Sequence, residues 1–302
     1  MQKEEIGEVI IIGGSYAGLS AAMALGRSLR NVLIIDSGKP CNRQTPHSHN
    51  FLTRDGETPA NLAGIAKAQV LAYPTVKFIN GIAEKATKTE HGFMVTTADR
   101  QKFEAKKIII ATGVKDIFPA IKGFAACWGI SVLHCPYCHG YEVRNKITGV
   151  IANGDIGFEF TKLISNWTKE LTLFTNGKID IEQHDLAKLI AKNINIVEKE
   201  IDEIIHENGM VAQLKFKDGS KQKIEAIYAR VAMEQNTSII SDLGIALTEQ
   251  QYISVNAFKQ TNVAGVYAAG DCTNMMRSVA DSVAAGNVAG AMLNKELVGD
   301  EF

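Results

Sequence analysis

The feature that most constrains this chain is a strand, glycine turn and helix that open a βαβ unit twice. Val9 to Ile12 is a short apolar run, fit for a parallel strand buried on both faces. Gly13-Gly14-Ser15-Tyr16-Ala17-Gly18 follows as a tight turn. Leu19 to Arg30, rich in Ala and Leu, reads as helix, and Val32 to Ile35 as the next strand, closed by Asp36. The order returns later: Ile147 to Ile151 as strand, Ala152-Asn153-Gly154-Asp155-Ile156-Gly157 as turn, Phe158 to Trp167 as helix and Leu171 to Phe174 as strand. Two such units far apart in sequence predict an α/β protein of two Rossmann-like, three-layer dinucleotide-binding domains rather than a short-period repeat. The length of 302 residues fits two domains of about 150.

The first turn is the stronger nucleotide signal. Gly13 makes the sharp turn, Gly18 lets helix and strand pack closely, and the free N–H groups at the helix start face a pyrophosphate. Ser15 stands where the middle glycine of G-x-G-x-x-G is expected, and its small side chain preserves the approach. Asp36, at the end of the second strand, is placed to bind an adenosine ribose. The rival reading is an ordinary glycine-rich βα turn.

Between the two units, residues 41–57 are polar and irregular, Ala60 to Leu71 reads as helix, and residues 92–104 as a small antiparallel insertion. Lys107 to Ala111 is a buried strand ending at Thr112-Gly113, and 114–127 reads as a crossing between domains. Short strands are expected near 195, 203, 212 and 224, a late strand at Tyr267 to Ala269, and a small-residue helix over Arg277 to Asn294. Lys and Arg number 32 against 33 Asp and Glu, which argues against nucleic acid as the main partner. No basic leader and no run of about 20 apolar residues predicts a protein without a membrane span. Five cysteines form no secreted disulfide framework, so a cytoplasmic location is expected.

The most specific local signal is His134-Cys135-Pro136-Tyr137-Cys138-His139-Gly140. C-x-x-C brings two thiols close enough for a reversible disulfide, and the flanking imidazoles can stabilise a thiolate or relay a proton. Half a zinc site and inert buried cysteines are the alternatives; zinc needs two more ligands and there is no second C-x-x-C, so no metal is expected. Cys41, Cys127 and Cys272 read as structural. A cysteine pair needs an electron-transfer partner to work with a small reductant, and a bound flavin supplies one.

In the order and spacing of these elements the whole chain resembles the low-molecular-weight thioredoxin reductases, FAD-dependent members of the pyridine nucleotide–disulfide oxidoreductase superfamily. Gly13 to Gly18 with Asp36 resemble the FAD-binding opening, Ala111-Thr112-Gly113 a strand-end turn, Cys135 and Cys138 the redox pair, and 261–271, ending Ala269-Gly270-Asp271, a second FAD signature. The resemblance implies an FAD domain over 1–116 and 246–302, split around an inserted NAD(P)-binding-like domain over 117–245 that carries the cysteines. It implies a homodimer, with Cys138 beside the flavin and Cys135 exchanging with the substrate; His139, next to the pair, can act as an acid–base near neutral pH. It places Asp271 at the FAD ribityl or phosphate region. It adds Ser37, Arg43, Gln44, Asn50, Arg277, Ser278 and Val279 as further FAD contacts, and Asn153, Gly154, Asp155 and Ile156 as nicotinamide-dinucleotide contacts.

Four departures stand out. Ala152 replaces a turn glycine. Phe174-Thr175-Asn176-Gly177 stands where the family carries arginines for a 2′-phosphate, with Lys178 a partial substitute. Residues 228–236 lack the expected glycines, and His139 stands where Asp is usual. The expected activity is therefore electron flow from NADPH or NADH through FAD and the cysteine pair to a thioredoxin-like protein or small-molecule disulfide. The alternatives are a dithiol oxidase using oxygen, a reductase with a non-nicotinamide donor, and a flavin-binding redox sensor without turnover.

Overall fold

The first strand shows how the apolar runs are used. In β1 (Gly7–Ile12) the side chains alternate: Val9 and Ile11 join one apolar cluster, Ile10 and Ile12 another on the opposite face. A strand apolar on both faces is buried on both. The computed structural model describes residues 7–302. It divides the chain into two units, one running to Arg43 and comprising also Phe51–Lys115 and Met233–Phe302, the other Gln44–Asn50 and Asp116–Ala232.

In the first unit, β1 is followed by α1 (Tyr16–Arg27), β2 (Val32–Asp36), α2 (Pro59–Leu71), β3 (Val76–Asn80), β4 (Ala83–Lys88), β5 (Phe93–Thr97) and β6 (Lys102–Ile110). The chain leaves through β7 (Val114–Ile117). It returns through β16 (Ala232–Gln235), which pairs with β7, then α7 (Ile239–Leu243), β17 (Val266–Ala268) and α8 (Val279–Glu301). The seven-stranded sheet runs β3-β2-β1-β6-β5-β4, with β17 also on β6. β6 does two jobs. Its outer half pairs antiparallel with β5, Thr96 opposite Lys102, and its inner half, Ile108 to Ile110, lies parallel between β1 and β17. The last residues of the expected insertion, Lys102 to Glu104, and the buried strand after it are thus one continuous strand, with β5 as the insertion's other arm.

The second unit holds α3 (Phe124–Cys127), β8 (Val132–Leu133), α4 (Pro136–His139), β9 (Thr148–Ile151), α5 (Gly154–Ile164), β10 (Leu171–Phe174), α6 (Gln183–Ala191), β11 (Asn195–Val197), β12 (Ile201–Glu207), β13 (Met210–Phe216), β14 (Lys221–Lys223) and β15 (Ala226–Ala229). Its parallel sheet runs β11-β10-β9-β15-β8, and an antiparallel sheet runs β12-β13-β14. Both α1 and α5 start inside their glycine turns rather than after them, with Ser15 and Asn153 at the N-caps. Glycines that read as loop on propensity are the first turn of the helix. α8 extends to Glu301, beyond the expected Asn294, because Leu297 is buried in the core and Glu301 pairs with Arg30 at 2.7 Å.

Candidate active site

In the first unit the ends of β1, β2, β6 and β17 converge on the first glycine turn. Gly13 has φ +105, and a methyl group there would strike the Ala111 carbonyl; one at Gly18 would strike the Gly13 carbonyl. These are positions for glycine alone. The Asp36 carboxylate accepts from the Gly14 N–H at 2.8 Å and the Gly38 N–H at 2.9 Å, which fixes it at the rim of the turn. Ser15 caps α1 without a side-chain hydrogen bond, Ala17 is buried in α1, and Ser37 is exposed. Thr112, between Ala111 and Gly113, has a buried hydroxyl with no hydrogen-bond partner. Gly270 leads to Asp271, which accepts from Ser282 Oγ at 3.2 Å and lies 3.6 Å from Arg277 Nε and 3.8 Å from Cys41 Sγ. Burial pushes the Asp271 carboxyl up, against the pull of Arg277. Ser278 caps α8 by accepting from the Asp281 N–H at 3.1 Å, and Val279 begins the helix.

Packing of α8 on α1 sets this geometry. A methyl group at Gly286 or Gly290 would meet the backbone carbonyl of Ala17 or Ala21, so the two helices touch through their backbones. The sequence marked this segment as a small-residue helix, while the G-x-x-x-G contact and its partner emerge in the fold. The cradle suits FAD. It has an opening that only glycines allow, a carboxylate, Asp36, held at the rim of the turn, and a buried Thr112 hydroxyl with no hydrogen-bond partner.

Of the other residues implied as FAD contacts, Arg43 donates to the Pro40 carbonyl at 3.1 Å within the first unit. Gln44 and Asn50 belong to the second unit, where Gln44 donates to the Trp128 carbonyl at 3.1 Å and Asn50 takes φ +59.

The redox motif occupies α4. Cys135 and Cys138 form a disulfide with Cα atoms 5.3 Å apart, so neither sulfur is free as a metal ligand. Among the described residues no cluster of three metal-ligating side chains exists. The Cys138 N–H donates to Cys135 Sγ at 3.2 Å, a contact that would favour a thiolate at Cys135 once the bond opens. Tyr137 between them is exposed and meets Trp167 edge-on. His134 stacks on Trp128. Burial pushes the His139 imidazole below its ordinary value, while Glu142 pulls it up. Glu142 and His49 were not singled out by sequence, because their nearness to His139 arises only in the fold.

The second turn is fastened from within. Asn153 Oδ1 accepts from its own neighbour, the Gly154 N–H, at 2.9 Å and from the Asp180 N–H at 2.9 Å, and its Nδ2 donates to the Lys178 carbonyl at 2.8 Å. The segment after β10 is thereby tied beside the start of α5. Asp155 sits in the first helical turn, and Ile156 is exposed. Where β9 and β15 end, at the switch point of this open sheet, a cavity of about 300 Å³ is lined by Phe118, Phe124, Ile151, Asn176, Ala229 and Arg230.

Residues 7–286 match the family Pyridine nucleotide-disulphide oxidoreductase. The chain is 30% identical to thioredoxin reductase tcpT of Claviceps purpurea, over 99% of this chain and 97% of that protein. It is 31% identical to thioredoxin reductase sirT of Leptosphaeria maculans, over 98% and 95%. Among solved structures it is similar to an oxidoreductase from Agrobacterium tumefaciens, with a TM-score of 0.92, 34% identity, and coverage of 98% of this chain and 99% of that one.

Proposed function

The chain belongs to the pyridine nucleotide-disulphide oxidoreductase family, and from that premise we propose that it carries electron pairs from NAD(P)H to a disulfide through FAD and the Cys135/Cys138 pair. It is a thioredoxin reductase-like oxidoreductase, and FAD with NADPH or NADH are the cofactors of its family. The single observation that carries the proposal is the disulfide between Cys135 and Cys138, with a backbone N–H directed at Cys135. Cys135 exchanges with the substrate disulfide, Cys138 is the thiol that exchanges electrons with the flavin, and His139 handles the proton. Gly13, Gly14, Asp36, Thr112, Asp271, Arg277 and Ser278 hold FAD, which when bound stores the electron pair between donor and acceptor. The substrate is a thioredoxin-like protein or a small-molecule disulfide, and the working form is a homodimer in the cytoplasm. No described helix is long and apolar enough to cross a membrane. Replacing Cys138 by Ser is expected to abolish disulfide turnover while the protein still retains flavin; turnover that survives the change rules the proposal out.

A second reading is favoured by the Asn153 clasp and the absence of arginine from 174–182. A dinucleotide pyrophosphate at α5 would compete with Asn153 for the Gly154 N–H, and within 174–182 a 2′-phosphate would meet Lys178 in place of arginine. Here a dithiol delivers its electrons to Cys135/Cys138, and oxygen takes them up, giving the substrate disulfide and hydrogen peroxide. Anaerobic stopped-flow mixing with NADPH, NADH and dithiothreitol separates the two. Bleaching of the flavin by a nicotinamide alone supports the reductase. Bleaching by the dithiol alone, with oxygen consumed on re-aeration, supports the oxidase.

A further inference from the structure

Around the redox pair the second unit gathers proton-handling side chains that the disulfide by itself does not require. His139 ends α4, and both its ring nitrogens are buried without a hydrogen bond of good geometry, although the Cys135 backbone lies close enough to favour the protonated ring. Glu142 follows one turn later. Its Oε1 lies 3.6 Å from Nδ1 of His49, which arrives on the 44–50 segment. The Glu142 charge acts on His139 and on the Tyr228 hydroxyl of β15, which is buried and has no hydrogen-bond partner. His47 lies behind His49, with ring centroids 6.3 Å apart. The titratable groups facing His139 are therefore Glu142 and His49, with Tyr228 and His47 behind them and the two cysteines beside it.

Resting on the reading of Cys135 and Cys138 as the working pair, we propose that Glu142 is a positioning residue. It supplies the counter-charge that lets His139 take the proton set free when a dithiol opens the disulfide. A substrate thiolate attacks Cys135 Sγ, the bond to Cys138 breaks, and Cys138 leaves as a thiolate. The second substrate thiol then attacks the mixed disulfide and releases Cys135. The substrate loses two electrons and two protons and becomes a disulfide. Of the two protons, one ends on Cys135 as a thiol and one on His139 as imidazolium, beside the Cys138 thiolate. A buried imidazole alone resists that charge; the Glu142 carboxylate, three residues on and 3.6 Å from His49, offsets the burial, and a positive His49 opposes the offset.

The test is anaerobic reduction of the holoenzyme flavin by dithiothreitol across roughly pH 5.5 to 9, the range in which imidazoles titrate. The midpoint of the limb lost in His139→Asn is expected about one pH unit lower in Glu142→Gln. It is expected near the wild type in Glu142→Asp and higher in His49→Gln. Opposite shifts from two neighbouring changes are not what a loss of folding produces, and Glu142 is exposed enough for Gln to be tolerated. Coincident profiles for wild type and Glu142→Gln overturn the proposal while leaving the cysteine pair in place. A wild-type flavin that stays oxidised with dithiothreitol, NADPH and NADH alike overturns the reading of the pair and the proposal together.

Discussion

Asp271 is a carboxylate in a place that disfavours one. Burial is the largest influence on it and raises its pKa, and the Arg277 guanidinium only partly opposes that. An acid whose folded pKa is raised binds its proton more tightly folded than unfolded. Its contribution to stability is full below the unfolded value of about 3.9 and is lost as pH rises through the folded value. At neutral pH the flavin-free protein therefore carries a cost at this residue. Asp271→Asn removes the charge and is expected to raise the melting temperature of flavin-free protein at pH 7, with the gap closing towards pH 4. The same change should leave less FAD on the purified protein, because an acceptor is lost. Thermal melts at the two pH values and the flavin-to-protein absorbance ratio check both; a lower melting temperature at pH 7 would show that the Arg277 pairing outweighs burial. Asp271 was legible in the sequence as the acid after Gly270. Of its surroundings, Arg277 and Ser282 follow within eleven residues, whereas Cys41 comes from a distant stretch of chain and was read only as structural.

At the scale of elements, the strands were easier to read than the helix starts. Val9–Ile12 and Leu171–Phe174 are buried apolar runs whose hydrophobicity alone marks them. α1 and α5 begin within glycine turns, where propensity points to loop and the backbone is already helical. β4 was missed because its pattern, with Ala86 as the sole buried residue of Ala83–Lys88, offers little apolar signal. The role of α8 depends on a partner that sequence does not name: Gly286 and Gly290 let it lie against α1, and Ser20 Oγ donates to the Val283 carbonyl at 2.7 Å across the same contact. α1 presents the nucleotide turn, so a displacement of α8 reaches the cradle. Gly286→Ala is expected to cost about 1–3 kcal/mol by overpacking. It should also reduce flavin retention, since the Ala17 carbonyl it strikes lies in the first turn of α1. Urea melts and the absorbance ratio measure the two effects. Lost stability with full flavin content would separate the packing of α8 from the cradle.

At the scale of the whole chain, the nucleotide domain proposed to be split makes a separate prediction. The two apolar clusters of the first unit draw on residues up to Ala111 and from Ile239 onward, and those of the second lie between Ile121 and Val231. No cluster mixes the two sets. The chain leaves and re-enters the first unit through paired β7 and β16, with Lys115 and Glu234 bridged at 2.6 Å. The split was implied by the family resemblance, with the return placed at 246; residues 228–236, around β16, carry no glycine or proline to mark a boundary. Replacing 118–231 by a short Asn-Gly linker would join β7 directly to its pairing partner β16. The shortened protein is expected to fold, to retain FAD through gel filtration and to lose all disulfide turnover. Its 44–50 segment would lose the Trp128 carbonyl and Glu142 as partners, so trypsin should cut after Arg43 faster than in the full chain. A shortened protein that stays unfolded would show that the first unit depends on the second despite their separate cores.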